Sequence, residues 1–308
     1  MAALYLLQYL SALAVGNPFV KVHALFQETP MTTVISPSLA RRSRLQAAWL
    51  ASVMLVFTVL AFPAHAQDSA FDGKVAVITG SSYGLGRELA LLGASEGMKL
   101  VLVDRRPEAS EALAEQIRSQ GGEAVFVEVD LAQAEQRPRV IEEAMEAFGG
   151  IDYLFNNAGY SYLATLEQMD MEQAKDMFEV NYWAYADLAQ RVIPVMRKQG
   201  GGTILNVSSI LGMSAAPPGL GHYAGNKHAL HGLFQSAAQE LKVDNIKVFI
   251  AAPAGMRTKI SQHSVGPLAN PENDRAADWE DPAIAARDIF DNIQGDKVIF
   301  NPGYIGRQ

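Results

Sequence analysis

Cysteine is missing from all 308 residues, which removes disulfide scaffolds, thiolate zinc sites and cysteine nucleophiles together. Gathered positive charge is missing too. The 25 basic side chains are outnumbered by 33 acidic ones, for a formal charge of −8, and the one basic run lies at 41–44. Nucleic-acid binding needs Lys and Arg clustered on a face, so no nucleic-acid partner is expected. Glycine and proline, 25 and 14, are near average usage, which excludes collagen-like and low-complexity chains. What is left, with 49% hydrophobic residues, is an acidic chain long enough to bury a sizeable core.

Charge is scarcest at the start of the chain. The first 66 residues hold Lys21, Glu28, Arg41, Arg42 and Arg44 and no other formally charged side chain. From Leu45 to Phe62 no charge occurs, and a helix of that length spans ~27 Å, near the lower limit for crossing a bilayer. The arginines precede this run and Ala64-His65-Ala66 follows it, the basic, apolar, small-residue order of a secretory signal. Export with cleavage after Ala66 is therefore expected, dividing the chain into a targeting segment, 1–66, and a domain, 67–308. Left uncleaved, residues 45–62 become an anchor with the arginines inside and the domain outside, the one case in which a membrane is a partner. Arg41-Arg42 also fits a twin-arginine signal, and Met31 is an alternative start.

Beyond residue 66 no repeat and no linker-like stretch occurs. Short apolar runs at 75–79, 100–103, 124–127, 151–155, 203–207, 246–251 and 297–300 alternate with helix-period segments at 84–96, 108–120, 133–148, 171–199, 223–242 and 282–294. Strands apolar on both faces, alternating with helices, imply a doubly wound parallel α/β sheet covered on both sides.

Four segments carry chemistry. The first strand runs into Thr79-Gly80-Ser81-Ser82-Tyr83-Gly84-Leu85-Gly86 and then a helix. Glycines there allow a tight turn, and a helix N-terminus offers N–H groups to a pyrophosphate. Asp104 ends the second strand, where a carboxylate accepts hydrogen bonds from an adenosine ribose and repels a 2′-phosphate. That favours NAD, while Arg105 and Arg106 offer the alternative of holding the phosphate of NADP. Asn156-Asn157-Ala158-Gly159 and Asn206-Val207-Ser208-Ser209 close the fourth and fifth strands, at the edge where such sheets bind ligands. Tyr223 and Lys227 stand one helical turn apart, so a Lys ammonium is expected to lower the phenol toward working pH as a general acid/base. No GxSxG elbow frames Ser209 as a hydrolase nucleophile. His222, His228 and His231 cluster near the Tyr–Lys pair without a metal-site spacing, and no metal is expected.

TGSSYGLG, NNAG, Asn181, NVSS and YAGNK follow one another in the order found in short-chain dehydrogenases/reductases, and residues 72–308 resemble that family nearly throughout. The resemblance implies a single Rossmann-like domain that interconverts an alcohol and a carbonyl with NAD(P). It implies Tyr223 as proton donor or acceptor, Lys227 as its modulator and ribose contact, Ser209 as the substrate-orienting hydroxyl and Asn181 as support for a relay water. It places the cofactor along Gly80, Ser82, Tyr83, Gly84, Leu85 and Gly86, then Asp104 and Arg105, Asp130 and Leu131, Asn157, Ala158 and Gly159, and Pro253, Gly255 and Thr258, besides Tyr223 and Lys227. It also implies a homo-oligomer built on helices 171–199 and 223–242. The interval from Ser209 to Tyr223 is one residue longer than usual, which keeps Ser208 as a second candidate, and Asn226 stands where a serine is usual. Tyr160–Leu163, Leu211–Pro218 and Met256 are expected to flank the substrate; being largely apolar, they favour a hydrophobic ketone or secondary alcohol. A nucleotide-binding sensor or scaffold without turnover is the alternative reading.

Overall fold

The strands of the computed structural model, which describes residues 69–270 and 279–303, are β1 Val75–Thr79, β2 Lys99–Asp104, β3 Glu123–Glu128, β4 Tyr153–Asn156, β5 Gly202–Val207, β6 Ile246–Ala251 and β7 Ile299–Phe300. All pair in parallel, in the spatial order β3-β2-β1-β4-β5-β6-β7. The order reverses between β1 and β4, so the loops after these strands diverge and open a crevice. Seven α-helices among the described residues return the chain: α1 Gly84–Ser95, α2 Pro107–Ser119, α3 Pro138–Phe148, α4 Met171–Phe178, α5 Ala184–Gln199, α6 Gly221–Glu240 and α7 Pro282–Asn292.

Alternation along the strands builds two cores. Ala76 and Ile78 of β1 join Leu100 and Leu102 of β2 under α1, α2 and α7. Val75 and Val77 join Val101 and Val103 on the other face, under α3, α5 and α6. Neighbouring side chains of a strand point to opposite faces, so an all-apolar run serves both layers. The helix ends follow local chemistry. Pro107, Pro138 and Pro282 open helices with a preset φ and no N–H to leave unpaired. Asp170 caps α4 by accepting from the Glu172 and Gln173 N–H groups at 2.9 and 3.0 Å.

The expected elements recur to within two residues at each end, with two differences. The helix expected from 133 starts at Pro138, after a 3₁₀ turn at Ala134–Gln136, because proline at N1 sets the entry. The helix expected over 171–199 is divided by a π turn at Glu179–Trp183. The expected apolar span, 45–62, and the cleavage site lie outside the described residues, among which no helix is long and apolar enough to cross a membrane.

The start of α1 lies directly on the end of β1. A Cβ on Gly86 would overlap the Gly80 carbonyl oxygen and stand 2.5 Å from the Asn157 amide nitrogen. Gly86→Ala is therefore expected to destabilise the protein by roughly 2–3 kcal/mol, read as a lower urea midpoint with an unchanged slope. An unshifted midpoint would show that this contact is loose.

Candidate active site

A cavity of about 510 Å³ opens at the C-terminal edge of the sheet, walled by the segments after β1 to β6. One end is formed by the glycine loop. Tyr83 occupies the N-cap of α1 without a side-chain cap, so the first-turn N–H groups stay available to an anion. Gly80 and Gly84 have φ of 67° and 55°, left-handed values natural to glycine. A Cβ at Gly84 would come within 2.9 Å of the Thr258 methyl, and one at Gly80 within 2.7 Å of the Ala158 Cα. Backbone amides, an uncapped helix end and crowding that bars any side chain together fit the pyrophosphate of a dinucleotide.

Most of the expected cofactor residues line this cavity: Gly80, Tyr83, Gly84, Leu85, Asp104, Arg105, Asp130, Leu131, Asn157, Ala158, Gly159, Pro253, Gly255 and Thr258. Ser82 and Gly86 do not. Ser82 is buried, and its hydroxyl donates to Asp104 Oδ2 at 2.6 Å, with its N–H adding 3.3 Å. Gly86 acts through close packing. Asp104 Oδ1 accepts from the Arg106 N–H at 3.0 Å, with the guanidinium 3.6 Å away. Asn157 donates through Nδ2 to the Thr79 and Gly80 carbonyls at 2.9 and 3.2 Å and so braces the loop.

The other end holds the expected catalytic groups. Lys227 is buried, and its Nζ donates to the Val207 carbonyl at 3.0 Å. It stands 5.6 Å from the ring centres of both Tyr223 and Tyr185. Burial pushes Lys227 down to about 7 and pushes Tyr223 up to about 12, the latter opposed in part by a hydrogen bond with the Ser209 hydroxyl. The expected lowering of Tyr223 by Lys227 is thus corrected: withdrawal from water disfavours the charged form of each group. Ser209 Oγ accepts from the Leu211 N–H at 3.2 Å, which leaves the hydroxyl proton to donate. Ser208 is turned elsewhere, its Oγ lying 2.9 Å from His231 Nε2; of the two serines, Ser209 is the one beside Tyr223.

Asn181 lines the cavity from the π turn. Its Oδ1 accepts from the Tyr160 N–H at 3.1 Å and its Nδ2 donates to the Tyr160 carbonyl at 2.8 Å, so its amide fastens the chain after β4. Of the expected substrate segments, Tyr160, Ser161, Leu211 and Met256 reach the cavity, whereas Tyr162, Leu163 and 212–218 do not. Lys259, Ile260, His263 and Trp279 line it unforeseen. Lys259 Nζ lies 4.2 Å over the Tyr83 ring, a fold-back that no periodicity announces. The three histidines near α6 have separate partners: the Ala174 carbonyl for His222, the Ala224 carbonyl for His228 and Ser208 for His231. No group of three or more metal-ligating side chains occurs among the described residues.

A doubly wound sheet with a dinucleotide cradle over β1 and a Tyr–Lys–Ser group around a buried lysine at the same edge defines a dinucleotide-dependent oxidoreductase. The profile of the short chain dehydrogenase family matches residues 74–266, and the chain belongs to that family. LinX of Sphingobium indicum, a 2,5-dichloro-2,5-cyclohexadiene-1,4-diol dehydrogenase, is 35% identical over 189 residues, covering 61% of this chain and 75% of that protein. Dehydrogenase/reductase SDR family member 7B of Mus musculus is 31% identical over 226 residues, 71% of this chain and 70% of that one. A short chain dehydrogenase/reductase from Burkholderia phymatum, solved in complex with NAD, superposes with a TM-score of 0.68 at 30% identity, covering 75% of this chain and 89% of its own. The protein is an NAD(P)-dependent oxidoreductase.

The depressed Lys227 has a consequence for stability. Between about pH 7 and the ordinary lysine value of 10.5, the unfolded chain holds a proton that the folded chain lacks, so this group makes stability rise with pH across that window. Tyr223 acts oppositely between 10 and about 12. Lys227→Met is expected to flatten the rise in urea denaturation series run between about pH 7 and pH 10. A rise of the same slope in the variant would show that Lys227 is not the titrating group.

Proposed function

We propose that the protein interconverts a ketone or aldehyde and a secondary alcohol, with Tyr223 moving the proton. The observation that carries this reading is the convergence of Tyr223, Ser209 and Lys227 on one wall of the cavity. When bound, the dinucleotide would supply the hydride chemistry at its nicotinamide. Ser209, its oxygen already engaged by the Leu211 N–H, points its proton at the substrate oxygen. Tyr223, a neutral phenol at neutral pH, is set to donate to that oxygen in the reducing direction. Lys227, when protonated, offsets the phenolate that results, though burial lowers its affinity for that proton. Asn181 holds the Tyr160 segment that closes the pocket.

The substrate side is lined by Ile210, Leu211, Leu220, Met256, Ile260 and Trp279. Such a wall selects a neutral, apolar carbonyl or alcohol, and the alicyclic diol named for LinX is in keeping with it. Asp104 supports NAD over NADP: it lines the cavity at the expected ribose position, and a structural relative holds NAD. Arg105 and Arg106 border the same place and would serve the opposite preference.

Tyr223→Phe is expected to lower turnover of an apolar ketone by about 10²- to 10⁴-fold while a fluorescence titration still shows NADH binding, tighter than NADPH. Undiminished turnover would refute the proton role. Tighter NADPH binding would move the selector from Asp104 to the arginines. We also propose export through residues 1–66, on their basic, apolar, small-residue order alone. N-terminal sequencing is expected to find the mature chain starting at Gln67, and a start upstream of Ala66 would overturn that.

A further inference from the structure

Helix α6 grips three successive residues at the end of β5, Val207 to Ser209, with three side chains spaced a turn apart. Tyr223 meets the Ser209 hydroxyl, Lys227 Nζ holds the Val207 carbonyl, and His231 Nε2 holds the Ser208 hydroxyl. The spacing i, i+4, i+8 keeps all three on one face. The third contact has no place in the chemistry proposed above. His231 and Ser208 are nonetheless 6% and 3% exposed, and a histidine is a costly way to fill a core unless its nitrogen is used.

What the pair touches indicates its use. A Cβ on Gly212 would stand 2.8 Å from the His231 ring and 2.9 Å from Ser208 Oγ, so the 3₁₀ turn Ile210–Gly212 rests on the pair. That same turn places the Leu211 N–H on Ser209 Oγ, and its Gly212 N–H donates to the Ser209 carbonyl at 2.8 Å. Ser209 is thereby fixed from both sides: the backbone turn ahead of it and Ser208 behind it both bear on His231. Burial, with His228 and Lys227 nearby, holds the imidazole below its ordinary value, which keeps it neutral and able to pair with a hydroxyl.

We infer that His231 is a positioning residue for the carbonyl-orienting hydroxyl: through Ser208 and the turn seated on Gly212, it sets where Ser209 presents its proton. This rests on the reading of Ser209 and Tyr223 as the groups that meet the substrate oxygen. A displacement of Ser209 leaves the apolar pocket and the nucleotide cradle in place, so the loss falls on turnover rather than on binding.

The test compares wild type with His231→Leu, His231→Gln, Ser208→Ala and the His231→Leu/Ser208→Ala pair, with Tyr223→Phe alongside. Turnover is read with phenanthrenequinone, an apolar dicarbonyl, and NADH. His231→Leu keeps the volume and is expected to lower kcat by about 10- to 100-fold with KM nearly unchanged, while His231→Gln, whose amide reaches the same hydroxyl, restores most of it. The double variant is expected to be no worse than His231→Leu, since both changes cut one linkage. Amide hydrogen exchange supplies a reading independent of substrate: Leu211 and Gly212 exchange faster in His231→Leu and as wild type in His231→Gln. Unchanged kcat with unchanged exchange in His231→Leu, failure of Gln to restore either, or additive losses in the double variant would overturn the inference. If His231→Leu does not fold, Ser208→Ala carries the same comparison. Tyr223→Phe separates the two readings: its undiminished turnover sinks the proton role, whereas a dead Tyr223→Phe beside an active His231→Leu sinks the positioning role alone. If wild type does not turn over this dicarbonyl, the exchange comparison decides.

Discussion

In a sheet whose strands all run the same way, every strand must end at the same edge, and every return must be made by a helix across a face. That single constraint organises the protein. It obliges the strand interiors to be apolar on both sides, because helices cover both, and it leaves the strand ends as the place where polar groups gather without disrupting a core. Thr79 and Gly80, Asp104, Asn156 and Asn157, and Val207 to Ser209 all stand at or just beyond a strand's C-terminal end. The reversal of strand order between β1 and β4 parts their loops, and the cavity occupies the gap. Where chemistry happens is a by-product of how the backbone satisfies its own hydrogen bonds.

Within that gap, burial governs charge. A lysine and a tyrosine in water differ little in proton affinity, and both are fully protonated at neutral pH. Here the same loss of solvent drives them apart, down for Lys227 and up for Tyr223. The lysine is left with a carbonyl, a dipole, in place of a counter-ion. At the nucleotide end the balance differs: Asp104 is satisfied by Ser82 and by the Arg106 backbone, so its side chain is held in place by donors. One end of the cavity is therefore electrostatically committed and the other poised.

Much of this was legible in the residue order. Seven apolar runs and the segments between them gave away the sheet because continuous Val, Ile and Leu runs suit a strand with two covered faces. The glycine loop and the Tyr–Lys pair were readable because each needs residues at fixed short spacing. What could not be read depends on contacts between distant segments. Lys259 and His263 reach the cavity because the chain after β6 folds back over Tyr83, and nothing local encodes that return. Ser82 was expected along the cofactor, but its hydroxyl donates to Asp104, since a hydroxyl in a loop says nothing of the direction in which it points. The mutual effect of Tyr223 and Lys227 was misjudged for the same reason: spacing along a helix reveals proximity and conceals depth.

The π turn at Glu179–Trp183 lay hidden because the buried positions Ala174, Met177, Asn181, Ala184 and Leu188 keep an unbroken helical rhythm through it. The rhythm is continuous while the helix is not, so one stripe serves two cores. Ala174 and Met177 pack with Tyr162 and, at the margin, Tyr160 and Tyr223, whereas Ala184 and Leu188 belong to the core beneath the sheet. The turn accommodates about one residue more than an α-helix would. Losing a single residue there would swing α4 by about 100° about its axis and carry Met177 out of its cluster with Tyr162 and Ala164. Chain length between Phe178 and Ala184 is thus a determinant of how the segment carrying Tyr160 and Tyr162 is backed, and an indel there would redraw that backing while leaving Tyr223, Lys227 and Ser209 unchanged in sequence.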